Sequence, residues 1–311
     1  MPPVDSFVEN PHWNWFIVVY FFLGGIAGGS AFIGGLAALV GGDRMKPVLH
    51  WTALIPFPLL AISGLLLIAD LGRPERFWHM MIQNQTWWPM FKYWSPMSYG
   101  SWLLLIFSGL AFVNFAAAII GGRQGGFLGR FSWLPRVVGG GVLGTVFQIL
   151  LLIFGYLFAS YTGALVTATN QPIWSDTTML GALFFISGVS AALSILILLT
   201  GWRSHDHYVV DRLETVDNWA MLLELVLIGL FLAFLGSIAW TFLAHRYGLT
   251  LLIGTVLLGL LVPLFLHWQP RLLGRTTPML AAALALLGGY ALRYAIVYAG
   301  QEIPIGGRMM G

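Results

Sequence analysis

Residues 11–35 read PHWNWFIVVYFFLGGIAGGSAFIGG, and this stretch decides the fold class. Polar and aromatic residues at His12, Trp13, Asn14 and Trp15 suit a headgroup boundary, and the apolar run behind them is long enough to cross a bilayer, which takes roughly 20 residues. The segment is therefore expected to be a first transmembrane helix. Gly24 and Gly28, like Gly25 and Gly29, are four apart, so a neighbouring helix can approach the backbone closely. Tyr20 places one hydroxyl among apolar side chains on the face of Trp13, seven residues earlier. A flat, partly polar ligand could rest there; a Gly-packed helix with an aromatic belt would account for the same residues.

The whole sequence extends this reading. Of its 311 residues 58% are hydrophobic and 9% charged, so too few polar groups exist to cover a water-soluble surface. An integral membrane protein is implied, as a single polytopic domain over 1–311. The chain has no cysteine, so it supplies neither an iron–sulfur cluster nor a disulfide. A redox centre of that kind must sit on a partner. No Lys or Arg occurs before Arg44, so a cleavable signal with a basic start is not expected. The formal charge of +3 is spread over loops, with no basic run for nucleic acid.

Continuous apolar runs exclude a strand barrel and place eight helices at about 15–40, 48–69, 97–121, 137–160, 179–201, 218–244, 249–268 and 277–299. The expected fold is all-α, arranged as two four-helix bundles. Nine basic residues fall in the odd-numbered loops (Arg44, Lys46, Arg123, Arg130, Arg136, Arg203, Arg212, Arg271, Arg275). Five fall on the other side (Arg73, Arg76, Lys92, Arg246, Arg308), which puts both termini on the extracytoplasmic face. The connection from Asp70 to Pro96 is rich in aromatic residues and suits an interface or a docking partner. That from Tyr161 to Trp174 is uncharged and should fold back into the membrane surface, whereas WRSHDHYVVDRLETVDNW is read as a polar loop before the sixth helix.

Asp70, Glu224, Arg293 and His267 lie within or at the ends of spans, where a charge at the helix centre costs about 2.5–3.5 kcal/mol on insertion scales. Glu224, about six residues into the expected sixth helix, is a candidate proton relay, with Arg293 a second member of such a pathway; the two are expected at different depths and not in direct contact. A Glu merely hydrogen-bonded between helices remains the alternative. Among the histidines, His50 and His267 alone are expected at one depth; His12, His79 and His245 fall at the other boundary, and His205 and His207 in the polar loop. Haem is not expected.

Four separated stretches carry a resemblance: WNWFIVVYFFLGGIAGG (Trp13 to Gly29), ADLGRPERFWHM (Ala69 to Met80), YTGALVTATNQPIW (Tyr161 to Trp174) and RYAIVYAGQ (Arg293 to Gln301). In this order they resemble the NrfD/PsrC-type membrane subunits of polysulfide reductase-like complexes. The resemblance implies a prokaryotic cytoplasmic (inner) membrane protein of eight helices with a quinone site, for menaquinone or ubiquinone, near the extracytoplasmic face. It implies electron exchange there with a four-cluster ferredoxin-like iron–sulfur subunit, which connects to a molybdopterin catalytic subunit; haem, iron–sulfur and molybdopterin are absent from the membrane subunit. By motif, Tyr161 matches a tyrosine that hydrogen-bonds the quinone head. Tyr20 stands where the polysulfide-type member has a histidine, and Ile17 at the matching asparagine position, with Asn14 one turn earlier. Asp70 matches an acidic residue beside the site, and Arg293 belongs to the last-helix signature.

The residue chemistry suits such a ligand, whose carbonyls need donors and proton sources and whose ring needs apolar walls. Tyr161, Tyr20 and Asp70 are the candidate reactive groups; Trp13, Asn14, Trp15 and Trp174 are the candidate contacts. Two other classes stay open: a purely structural anchor, and a secondary transporter, for which the Pro-interrupted LIPFPLL (Leu54 to Leu60) is the feature.

Overall fold

A computed structural model describes residues 13–121, 127–169, 171–203, 207–269 and 274–303. His12, His205, Arg123, Arg271 and Arg308 lie outside the described residues, as do the side chains of Arg203, His207 and Arg275. Among the described residues, eight helices are long and apolar enough to cross a membrane: α1 (Trp15–Val40), α2 (Asp43–Asp70), α3 (Pro96–Gly121), α4 (Gly141–Thr167), α5 (Leu180–Trp202), α6 (Tyr208–Leu235), α7 (Arg246–Trp268) and α8 (Thr277–Glu302). Helices α1–α4 pack around one another, α5–α8 do the same, and α1, α4, α5 and α8 form the seam between the groups.

The glycines of α1 make that seam. A Cβ on Gly28 would lie 2.5 Å from the Gly155 carbonyl of α4, and one on Gly29 would lie 2.5 Å from the Gly188 carbonyl of α5. The two Gly-x-x-x-Gly rows thus serve two different neighbours, and α1 is the most enclosed helix of its group. Helix α2 breaks at Ile55 into Lys46–Leu54 and Pro56–Asp70, since Pro56 and Pro58 cannot donate to the preceding turn. Helix α7 is wound as a wider π-type helix over Thr250–Leu261.

Several boundaries differ from expectation, most of all the end of α4 and both ends of α6. Helix α4 continues to Thr167, so Tyr161 lies on a helix and not in a loop. Only the remainder of that connection folds inward, through Ile173 at φ 72° to a fully buried Trp174. Helix α6 begins about ten residues before the expected start: most of the polar stretch before Trp219 is helical. Its charged residues point two ways, with Asp211 and Arg212 exposed and Asp217 fully buried, so a helical face pattern resembles a loop in composition alone. The helix ends at Leu235, beyond which Gly236 takes φ 56° and a separate short helix spans Ile238–Ala244.

Candidate functional site

A cavity of about 400 Å³ opens among α1–α4 at the end where α1 and α3 begin. Trp13 lines it from just before α1, Ile17 and Tyr20 from α1, Leu60, Ile68 and Asp70 from α2, Met97 and Gly100 from α3, and Tyr161 and Leu165 from α4. Phe77, Met80 and Met81 close one side from the connection between α2 and α3. The walls are mainly apolar and the polar groups few, as in sites for flat organic ligands.

The polar groups are held individually. Tyr161 donates its hydroxyl to the Pro96 carbonyl at 2.8 Å, a backbone group at the first turn of α3. Gly100 makes room for it, since a Cβ there would overlap the Tyr161 hydroxyl and ring. Tyr20, 3% exposed, lines the same cavity as Tyr161. Asp70 ends α2 and accepts from Asn14 Nδ2 at 3.0 Å. The Trp13 amide donates to Gln301 Oε1 at 2.8 Å, which fastens the entry of α1 to the end of α8.

The structure therefore brings Trp13, Tyr20, Asp70 and Tyr161 to one cavity and distributes the other candidates around it. Asn14 is outside the lining and orients Asp70. Trp174 is also outside it: the indole stacks on Trp13 at 4.8 Å between centroids and donates to the Ile296 carbonyl at 2.8 Å. Trp174 thus backs the Trp13 wall from behind. Trp15 is 56% exposed and takes no part in the lining. Sequence reading missed Gly100 and Gln301; Gln301 lay inside one of the four motifs, whereas nothing in the sequence announces that Gly100 faces Tyr161.

The second candidate group lies deeper. Arg293 is fully buried and donates from Nε to the Phe21 carbonyl at 3.1 Å, from Nη1 to the Ser187 hydroxyl at 3.1 Å and the Gly289 carbonyl at 2.7 Å, and from Nη2 to the Phe184 carbonyl at 3.1 Å. Ser187 also interacts with the Glu224 carboxyl, which is 2% exposed. The expected difference in depth is corrected here. Because α6 starts at Tyr208, Glu224 lies sixteen residues into its helix, and Arg293 lies sixteen residues into α8 from Thr277. Both helices start from the same end, so both groups sit about 24 Å along their axes. They are one serine apart, without a direct ion pair among the described contacts.

Of the histidines, His267 donates from Nδ1 to Asn218 Oδ1 of α6 at 2.7 Å, while His50 lines a different cavity among α2, α3 and α4. The expected common depth does not bring them onto one neighbour. No group of three or more His, Asp or Glu suited to a metal ion occurs among the described residues.

The family model described as "Polysulphide reductase, NrfD" matches residues 6–305. The chain is 29% identical to "Protein NrfD" of Escherichia coli, with 94% of this sequence and 96% of that one covered. It is 27% identical to "Protein NrfD homolog" of Haemophilus influenzae, covering 96% and 97%. To the C subunit of the polysulfide reductase of Wolinella succinogenes it is 28% identical, covering 93% and 94%. With eight apolar spans and a match over nearly its whole length, this chain is a multi-pass membrane protein that belongs to the polysulphide reductase NrfD family.

Proposed function

We propose that the chain is the quinone-reactive membrane subunit of a polysulfide reductase-like oxidoreductase complex, with its site in the cavity among α1–α4. The observation that carries this reading is the convergence of Trp13, Tyr20, Asp70 and Tyr161 on one apolar space of about 400 Å³. That volume and lining fit a quinone ring and the start of its tail. A bound quinone or quinol would supply two-electron, two-proton redox chemistry. Trp13 and Ile17 give the ring flat walls, and Phe77 with Met80 shields it from the membrane surface.

The hydrogen bonds assign roles. The Tyr161 proton is engaged by Pro96, so its oxygen presents a lone pair, which accepts from a hydroxyl of the quinol form; rotation of the same O–H serves the carbonyl of the quinone form. Asp70 stands at the mouth and is only partly buried, so it can exchange a proton between the ligand and water while Asn14 fixes its orientation. Electrons leave to an iron–sulfur partner bound over the same end, which we place on the extracytoplasmic side from the distribution of Lys and Arg. The aromatic connection, with Trp87, Trp88, Tyr93 and Trp94 all strongly exposed, gives that partner a surface. Glu224 and Arg293, coupled through Ser187, form the proton-handling pair in the span interior.

The test is quinol-dependent reduction of the iron–sulfur clusters in the co-purified complex, comparing wild type with Tyr161→Phe and with a quinone-site inhibitor. A fall of about tenfold or more is expected, in the range for loss of one general acid–base or oriented hydrogen-bonding group. Wild-type kinetics in the variant, with the complex assembled, would favour the anchor reading and remove the site assignment.

A further inference from the structure

A second cavity, of about 700 Å³, lies at the opposite end of the α1–α4 group, where α1 and α3 end and α2 and α4 begin. Lys46, Gly121 and Gly141 stand at its rim, and Ala53, Asn114 and Gln148 at its floor. On each of α2, α3 and α4 the floor residue is seven positions from the rim residue, two turns or about 10.5 Å along the axis. The space therefore runs from headgroup level to the glycerol and ester zone at the edge of the hydrocarbon. The short helix Trp133–Gly139 covers one side. The proposed reaction uses none of these residues.

Packing does not account for the polar groups that line it. Asn114 lies seven residues inside the end of an apolar span and makes no hydrogen bond among the described residues. A carboxamide at that depth without a protein partner has to find one in the cavity. Gln148 donates from Nε2 to the Val138 carbonyl at 3.3 Å, which leaves its second N–H for another acceptor. His50 meets the edge of Trp51 and makes no hydrogen bond among the described residues. Lys46 pairs with Asp43 at 2.9 Å, but both side chains stand largely in solvent, where such a pair is weak and exchangeable. Helix α4 begins without a side-chain cap, so its first amides are further donors at the rim.

The walls select among ligands. No Phe, Tyr or Trp lines this cavity, whereas Trp13, Tyr20, Phe77 and Tyr161 line the quinone cavity, so a flat ring has nothing to stack on. No Asp or Glu lines it either, and donors prevail. An acceptor-rich, negatively charged and flexible ligand at headgroup depth meets these conditions. Val142 and Leu143, next in sequence to Gly141, are 81% and 69% exposed and give apolar chains a path beside the rim.

We propose that this cavity binds the headgroup of an anionic glycerophospholipid from the cytoplasmic leaflet, the side being taken from the distribution of Lys and Arg. Lys46, His50 and the first amides of α4 hold the phosphate, Asn114 and Gln148 donate to the ester carbonyls, and the acyl chains leave over Val142 and Leu143. The lipid ties together the ends of α2, α3 and α4 far from the quinone cavity, and no bond forms or breaks. The site does not depend on the quinone reading, so either stands if the other fails.

The experiment uses the full chain, purified in detergent with whatever subunits stay bound and stripped of lipid. Native mass spectrometry counts dioleoylphosphatidylglycerol retained per protein across a titration. Wild type is expected to hold one molecule about tenfold or more tightly than dioleoylphosphatidylcholine, whose own cation competes for the phosphate, and to unfold at a higher temperature with it. Lys46→Gln should weaken binding about fivefold, the worth of one lysine at an anionic lipid surface. Gly139→Leu puts a side chain on a lining residue where an added Cβ meets nothing within 4 Å, and should all but abolish binding. Arg130→Gln removes an exposed basic residue of the same end that does not line the cavity, and should leave binding within about twofold of wild type. Circular dichroism reports folding, and Asn114→Leu reads the same floor with a second variant, expected to bind several-fold more weakly. Equal losses in Arg130→Gln and Lys46→Gln would mean diffuse surface charge and overturn the site, as would wild-type binding in both Gly139→Leu and Asn114→Leu. Equal affinity for the phosphatidylcholine, or displacement of the lipid by millimolar inorganic phosphate, overturns the assignment to an anionic lipid.

Discussion

Arg293→Lys separates the shape of the buried cation from its charge. The guanidinium spreads four hydrogen bonds over α1, α5 and α8, with acceptors on Phe21, Ser187, Gly289 and Phe184. A lysine ammonium placed near Nη1 can keep Ser187 and Gly289, but one nitrogen cannot also reach the Phe21 and Phe184 carbonyls. Two interhelical bonds are lost. Such bonds in membranes average about 0.6 kcal/mol and reach about 1.7 at most, so the variant should lose about 1–3 kcal/mol. The charge beside Glu224 is retained, so proton uptake should survive in whatever fraction of the protein remains folded. The assay is equilibrium unfolding of the purified protein in mixed micelles, with proton uptake measured in parallel. A stability change under about 0.5 kcal/mol, below the average for a single such bond, would refute the claim that the planar fork ties the three helices together.

Three other changes test the remaining contacts. Gly100→Ala puts a methyl where the Tyr161 hydroxyl and ring lie, so Tyr161 must leave the Pro96 carbonyl; quinol-dependent cluster reduction should fall toward the level of Tyr161→Phe, and wild-type rates would show that this hydrogen bond does not matter. Gly288→Leu drives a side chain into Gly259 of α7 and displaces the Thr255 hydroxyl, which donates to the Gly288 carbonyl at 3.1 Å; overpacking of this kind costs about 1–3 kcal/mol, read by the same unfolding assay against Gly109→Ala, where the added Cβ meets nothing within 4 Å. Asn14→Ala releases Asp70 from an exposed hydrogen bond; stability should stay within about 0.5 kcal/mol while KM for quinol rises several-fold, and an unchanged KM would separate Asp70 from the cavity chemistry.

The eight spans were legible because each apolar run must satisfy its own backbone in lipid, so length and hydropathy suffice to find a helix. The same rule fails at helix ends that leave the membrane. The first turns of α6 carry Asp211, Arg212, Glu214 and Asp217 and read as a loop, although they continue one helix with a buried face. From that error followed the misplaced depth of Glu224. The pattern that could have corrected it, Glu214, Asp217 and Glu224 on one helical face opposite Ser187, Ser190 and Ser194, was present in the letters but needs the α5–α6 pairing to acquire meaning.

The site divides the same way. Composition determined a membrane protein without cysteine, and the order of four motifs marked Tyr161, Tyr20, Asp70 and Arg293 as residues to follow. Only the tertiary structure decided that Trp13, Tyr20, Asp70 and Tyr161 share a cavity while Asn14 and Trp174 support it from outside. It alone placed Glu224 beside Ser187 and Arg293. The physical reason is that burial in lipid is a local property of each segment, readable from its own side chains. Which hydroxyl meets which carboxyl depends on rotation and depth between helices, and these are fixed by glycine contacts such as Gly29 on Gly188 that no single segment contains.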